Sequence, residues 1–256
     1  MASGFFVICL TNFTREGDFS FYAKVALGKN KLFVAMTRGF FLFSKLSYTG
    51  GMNQPIEPYV FLGRPGAGKG TQAALLNEYF RKLEPDRPLF YMETGALLRE
   101  FKKQASTNYT AKLTQEVIDA GGGGMTLAFL AIYNWTNFFI QHLKGGERVV
   151  IDGTPRTVIE AEALDTAFRF YGAMKPTILH LDVHDDWSVE KLLKRAKDTG
   201  RADDTEAGIK KRLSWFASDV APVVEYYRTH PDHRFLDING LQTIAEVHQE
   251  IISKIG

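Results

Sequence analysis

Residues 63–71 read Gly-Arg-Pro-Gly-Ala-Gly-Lys-Gly-Thr, a G-x-x-x-x-G-K spacing set between a short apolar run and a helical stretch. Small residues at this spacing let successive backbone N–H groups curl around a phosphate chain. The helix that follows adds partial positive charge at its N-terminus, and the lysine reaches the outer phosphates. Gly66, Ala67, Gly68, Lys69, Gly70 and Thr71 are therefore the expected triphosphate-binding residues. Gly70 stands where such loops usually carry the Ser or Thr that ligates Mg2+. A magnesium ion is accordingly expected on phosphate oxygens and water, not on the loop itself.

A second group of residues is cationic. Arg99, Arg156, Arg195, Arg201 and Arg212 lie next to turns. Cations so placed, in a chain with a phosphate loop, could clamp phosphate groups and neutralise charge on their oxygens. Arg201 and Arg212 are 11 residues apart, about three helical turns, so along one helix they would project from the same side. Arg195 precedes Arg201 across a short glycine-containing loop that could close as a lid. Asp203 with Glu206 is expected to form a capping box starting the helix that carries Arg212.

These residues need a rigid frame. Tyr59–Leu62, Arg148–Asp152, Pro176–Asp182 and Arg234–Ile238 are short apolar runs, each followed by a helical pattern, the first from Lys69 to Leu83. Strands alternating with helices predict an α/β fold with a parallel sheet covered on both faces. The last helix is expected to bury Leu241, Ile244, Val247, Ile251 and Ile252. The aromatic stretch Phe129–Phe139 reads as core packing. The six histidines offer no metal-ligating pattern and read as surface or capping residues.

The chain has 256 residues with 45% hydrophobic and 23% charged, which excludes a disordered chain, a collagen-like repeat and a disulfide scaffold. Its single cysteine, Cys9, permits no internal disulfide and points to a reducing, cytoplasmic setting. No apolar run is long enough to span a bilayer. The net charge of +2 is uneven, since residues 1–51 hold six basic and two acidic residues and the remainder is mildly acidic. A general nucleic-acid-binding surface is therefore not expected. Residues 1–51 also hold nine of the twenty phenylalanines and show no sustained helical or strand period. They fit neither a secretory signal nor an arginine-rich transit peptide. They are expected to lie outside the mature fold, with translation starting at Met52; an accessory or targeting extension is the alternative.

The loop resembles the G-x-P-G-x-G-K-G-T form of adenylate kinases and related nucleoside monophosphate kinases, and further motifs follow in family order. Glu93-Thr-Gly-Ala-Leu-Leu-Arg99 is similar to S-T-G-D-x-L-R, and Asp152-Gly-Thr-Pro-Arg-Thr157 to D-G-F-P-R-T. Gly200-Arg-Ala-Asp-Asp-Thr-Glu206 with Lys211-Arg-Leu213 is similar to G-R-x-D-D-x-E…R-L, and Ala221–Tyr227 to P-x-x-x-Y-Y. The resemblance spans residues 52–256. It implies a P-loop, doubly wound parallel sheet with a small helical acceptor-binding insertion at about 93–124 and a short lid at about 195–202. The implied reaction is reversible, Mg2+-dependent transfer of the ATP γ-phosphoryl group to AMP by a monomer, with no nucleic-acid or membrane partner. Carried over by motif, Lys69, Arg156, Arg195, Arg201 and Arg212 are catalytic. Lys191, Arg195 and the backbone at Gln242 serve ATP. Thr94, Arg99, Gly122, Gly123, Gly124, Gly153, Thr154, Pro155, Arg156, Glu160, Arg201 and Arg212 serve AMP, and Asp152 orients Mg2+-bound water.

Three departures bear on specificity. Glu160 replaces the glutamine that reads the acceptor base; as a carboxylate it accepts from an amino group, unless it is a solvent-facing helix residue. The run Gly121–Gly124 replaces G-x-L-V-P and either keeps backbone contacts to the base or is a connector. Lys191 replaces an arginine that stacks on the donor adenine, relaxing donor selectivity. CMP or GMP as acceptor, and a nucleotide sensor without turnover, are the alternatives to AMP phosphorylation.

Overall fold

The computed structural model describes residues 9–13, 19–27, 30–37, 40–41, 55–121, 127–199 and 205–256, and the chain divides into two units, Met1–Met52 and Asn53–Gly256. In the first unit, β1 (Cys9–Phe13), β2 (Phe19–Leu27), β3 (Asn30–Thr37) and β4 (Phe40–Phe41) pair antiparallel in sequence order. These strands form although the sequence of residues 1–51 shows no sustained strand period. Leu27 pairs with Asn30 at the end of the β2–β3 ladder.

The second unit is built on β5 (Glu57–Gly63), β6 (Leu89–Glu93), β7 (Arg148–Asp152), β8 (Thr177–Asp182) and β9 (Arg234–Asn239). They form one parallel sheet in the order β6-β7-β5-β8-β9. The helices are α1 (Lys69–Leu83), α2 (Thr94–Lys102), α3 (Tyr109–Gly121), α4 (Ala128–His142), α5 (Val158–Phe170), α6 (Asp185–Thr199), α7 (Glu206–Trp215), α8 (Ala221–Thr229) and α9 (Ile244–Ile255). A π-helical turn, Phe216–Val220, joins α7 to α8.

Alternate strand residues feed two cores. Val60 and Leu62 pack with Trp135 and Phe139 of α4, Leu164 of α5 and Tyr227 of α8. Tyr59 and Phe61 pack with Leu76 and Phe80 of α1 and Val247 and Ile251 of α9. A strand buried on both faces has no polar side to alternate with, which is why these strands read as continuous apolar runs. The chain leaves β5 toward β6 and β7 on one side and β8 and β9 on the other, so a crevice opens at the C-terminal ends of the strands where the order reverses.

Some local expectations change. In α9, Val247 and Ile251 are buried, but Ile244 and the preceding Leu241 are exposed. Phe139 is core as expected, whereas Phe129 and Tyr133 of the same helix are exposed. His180 and His233 are neither surface nor capping residues. They are buried against Asp237 (2.7 Å) and Asp165 (2.8 Å). His184 does cap, its Nδ1 accepting from Trp187 N at 3.1 Å. Among the described residues no group of three His, Cys, Asp or Glu side chains could hold a metal ion.

Candidate active site

The loop after β5 is closed by its own lysine. Lys69 Nζ donates to the carbonyls of Gly63 (2.9 Å) and Arg64 (2.8 Å). Gly68 caps α1 in the left-handed region (φ 87°) with no side-chain capping bond. Side chains thus leave the first amides of α1 to an incoming anion. Gly70 faces a carboxylate: a Cβ built there would lie 3.2 Å from Asp152 Oδ2. Burial pulls the Lys69 ammonium down to a pKa of about 8; Asp152 opposes this, while Arg156 and Arg195 reinforce it. A cation held so far below its usual range is stabilised by added negative charge, which a phosphate supplies.

Asp152 ends β7, beside Glu93 at the end of β6. Burial raises its carboxyl pKa, Lys69 and Arg156 counter this, and Glu93 adds to it. One carboxylate beside a loop that lacks its usual hydroxyl suits a metal carried by phosphates and water, and does not form a protein cage.

The adjoining corner is made by the turn after β7. Gly153 has φ 91°, and a Cβ there would lie 2.6 Å from Thr94 Oγ1 and 3.7 Å from Gly95 N. Only glycine lets the two segments meet this closely. Thr94 Oγ1 donates to Asp152 O at 3.4 Å, and Arg156 Nε donates to Gly153 O at 2.8 Å. Pro155 follows Thr154 in the same turn and lines the cleft. Arg99, on α2, pairs with Glu93 at 2.8 Å.

Glu160 is 2% exposed, so it is not a solvent-facing helix residue. Its Oε2 accepts from Thr154 Oγ1 (2.7 Å) and Arg156 N (3.3 Å), and its Oε1 from Thr157 Oγ1 (3.4 Å). The physical cause is Thr154: its buried hydroxyl needs an acceptor, and the carboxylate one helical turn into α5 supplies it.

On the far wall, Arg195 lies within α6, which runs on to Thr199, and not in a loop. Arg195 and Arg212 both line the cleft, and Arg212 Nε donates to Gly208 O at 3.4 Å. Helix α7 begins at Glu206 with Thr205 as its cap, accepting from Gly208 N at 3.1 Å. Thr205 thus holds the capping position expected of Asp203, which, like Arg201, lies outside the described residues. Threonine already satisfies the amide, leaving Glu206 in the first helical position. Lys191 lines the cleft with its ammonium 4.1 Å from the centre of the Trp187 ring, and Gln242 lies outside the cleft, its amide donating to Glu250 Oε2 (2.7 Å) and Asn239 O (3.2 Å). Arg201, Gly122, Gly123 and Gly124 lie outside the described residues.

The cleft encloses about 1050 Å3 and is lined by Lys69, Arg99, Asp152, Arg156, Arg195 and Arg212, among others. That volume reaches the upper end for a single ligand site and suits two nucleotides end to end. Sequence reasoning passed over several participants. Trp215 lines the wall beside Lys211, and so does Phe216, over which Arg64 stacks at 4.7 Å from outside the cleft lining. Glu93 was legible only as a mismatch to a serine in its motif.

The family model for adenylate kinase matches residues 61–231. The chain is 33% identical over 197 residues to an adenylate kinase of Phocaeicola vulgatus, covering 77% of this chain and 96% of the relative. It is 34% identical to one of Bacteroides thetaiotaomicron with the same coverage, and 32% identical to adenylate kinase 1 of Nostoc sp., covering 77% and 97%. With the phosphate loop, the Asp152–Arg156 turn and the cleft arginines in one sheet crevice, the chain belongs to the adenylate kinase family.

Proposed function

We propose that this chain catalyses reversible transfer of the γ-phosphoryl group of ATP to AMP, giving two ADP. The carrying observation is that Lys69, Arg156, Arg195 and Arg212 converge on one cleft between a phosphate loop and a second anion-binding corner. Gly66–Thr71 hold the ATP phosphates, with Lys191 and the backbone near Gln242 toward the donor base. Thr94, Arg99, Gly153–Arg156 and the stretch Gly122–Gly124 hold AMP. An AMP phosphate oxygen attacks the γ-phosphorus as its bond to the β,γ-bridging oxygen breaks. Lys69 follows the moving charge, and Arg156, Arg195, Arg201 and Arg212 neutralise the equatorial oxygens. Asp152 would hold a nucleotide-bound Mg2+ through water, and the ion would supply positive charge to the phosphates.

Phosphotransfer belongs to the unit Asn53–Gly256, which has its own core and supplies every described residue that lines the cleft. The single cysteine supports a cytoplasmic location. No helix among the described residues is long and apolar enough to cross a membrane.

A coupled ADP-formation assay with Mg-ATP and AMP, CMP, UMP or GMP tests the reading. Turnover with AMP well above the others is expected. Preference for another acceptor overturns the AMP assignment. A nucleotide-induced thermal shift without ADP formation would make the protein a sensor.

A further inference from the structure

Glu93 is absorbed by no step above, yet it occupies the acceptor corner. It is the last residue of β6 and the N-cap residue of α2, a position where a short polar side chain ordinarily accepts from the helix amides. It makes no such bond. Its carboxylate reaches six residues on to Arg99, at 2.8 Å, and both side chains line the cleft. The amides of the α2 N-terminus are thereby left to an anion, and Gly95 N is among the groups packed around Gly153. On its other side Glu93 is in register with Asp152, a second carboxylate.

We propose that Glu93 is a counter-ion latch: it neutralises Arg99 and is displaced when the acceptor's phosphate takes that arginine. The proposal rests on the reading of Arg99 as an acceptor-phosphate ligand. A phosphate dianion offers more charge and more acceptor oxygens than one carboxylate, so it wins the guanidinium, and Glu93 then retreats from the phosphate toward solvent. Both partners are accessible, Arg99 at 54% and Glu93 at 39%, so exchange needs no rearrangement of the core. The latch makes acceptor binding weaker and product release easier than Arg99 alone would. Glu93 is a positioning residue acting through Arg99.

The test is calorimetric titration of AMP, without ATP, into the full chain and its Glu93→Gln, Arg99→Ala and doubly substituted forms. For so exposed a pair, Glu93→Gln should tighten AMP by about 2–5-fold at low salt. The gain should shrink at high salt, ATP affinity should hold, and the gain should fall by at least about half when Arg99 is alanine, a coupling that only interacting residues show. Unchanged or weaker AMP binding in Glu93→Gln overturns the latch. So does an undiminished gain in the Arg99→Ala background, which would make Glu93 a simple source of repulsion. Wild-type AMP affinity in Arg99→Ala alone overturns the assignment of Arg99, and the latch with it.

Discussion

Lys69 carries the sharpest pH prediction. Burial, with Arg156 and Arg195 nearby, places its pKa at about 8 in the empty site. Phosphates arriving beside it restore its preference for the proton, so the binding-competent form is the protonated one. At pH 7 about nine-tenths of the empty enzyme is in that form, and at pH 9 about one-tenth, so ATP should bind about tenfold more weakly at pH 9. The second ionisation of a phosphate, near pH 6, is already about nine-tenths complete at pH 7 and changes little above it, so it does not obscure a tenfold effect. Titration calorimetry at constant ionic strength, in buffers of different ionisation enthalpy, should also detect uptake of about half a proton at pH 8. Affinity constant within twofold from pH 7 to 9, with no proton uptake, would refute the reasoning. The same shift fixes a stability effect. The folded-state value lies below the ordinary 10.5, so Lys69 destabilises the empty fold fully below pH 8, and the penalty fades as pH rises toward 10.5. That gap corresponds to about 3 kcal/mol, less what the bonds to Gly63 and Arg64 return. Lys69→Met should therefore melt higher than wild type at pH 7, with the advantage shrinking by pH 10.

Arg156→Ala should lower kcat by about 10³–10⁵ with the melting temperature little changed, by analogy with other transition-state arginines; near-normal turnover would remove it from the mechanism. Gly153→Ala places a methyl 2.6 Å from Thr94 Oγ1 at a backbone angle that L-residues avoid, so it should raise the KM for AMP far more than that for ATP. Equal effects on both substrates would contradict the placement of Thr94 in the acceptor corner. Glu160→Ala strands the buried Thr154 hydroxyl and the Arg156 amide, each at about 1–3 kcal/mol, and should lower both thermal stability and kcat. A stable variant with altered acceptor-base preference would instead make Glu160 a base reader.

The phosphate loop was legible because its function constrains consecutive residues: β5, loop and α1 are contiguous, and α1 runs over the expected Lys69–Leu83. Strand β7 matches its apolar run for a similar reason, since burial on both faces leaves no polar interruption. Strand β6 was not recognised. At the sheet edge only Phe90 and Met92 are buried in its five residues, too short an alternation to stand out. The inward turn of Glu160 depends on which hydroxyl lies beneath it, and Thr154 is brought there by a turn whose path the sequence does not display. The Glu93–Arg99 pair likewise arises at a strand–helix junction, where neither helical nor strand spacing predicts contact. Motif likeness located the corner, and only coordinates revealed which charges in it are already paired.

The central claim is transfer between two nucleotides in one cleft, and following the phosphoryl group itself tests it most directly. The full chain would be incubated with Mg-ATP labelled at the γ-phosphorus and unlabelled AMP, and the products separated. The account predicts label in the β-position of ADP, two ADP formed per ATP consumed, and loss of both in Arg156→Ala. Label released as inorganic phosphate, or retained in ATP by folded protein that binds both nucleotides, would contradict it.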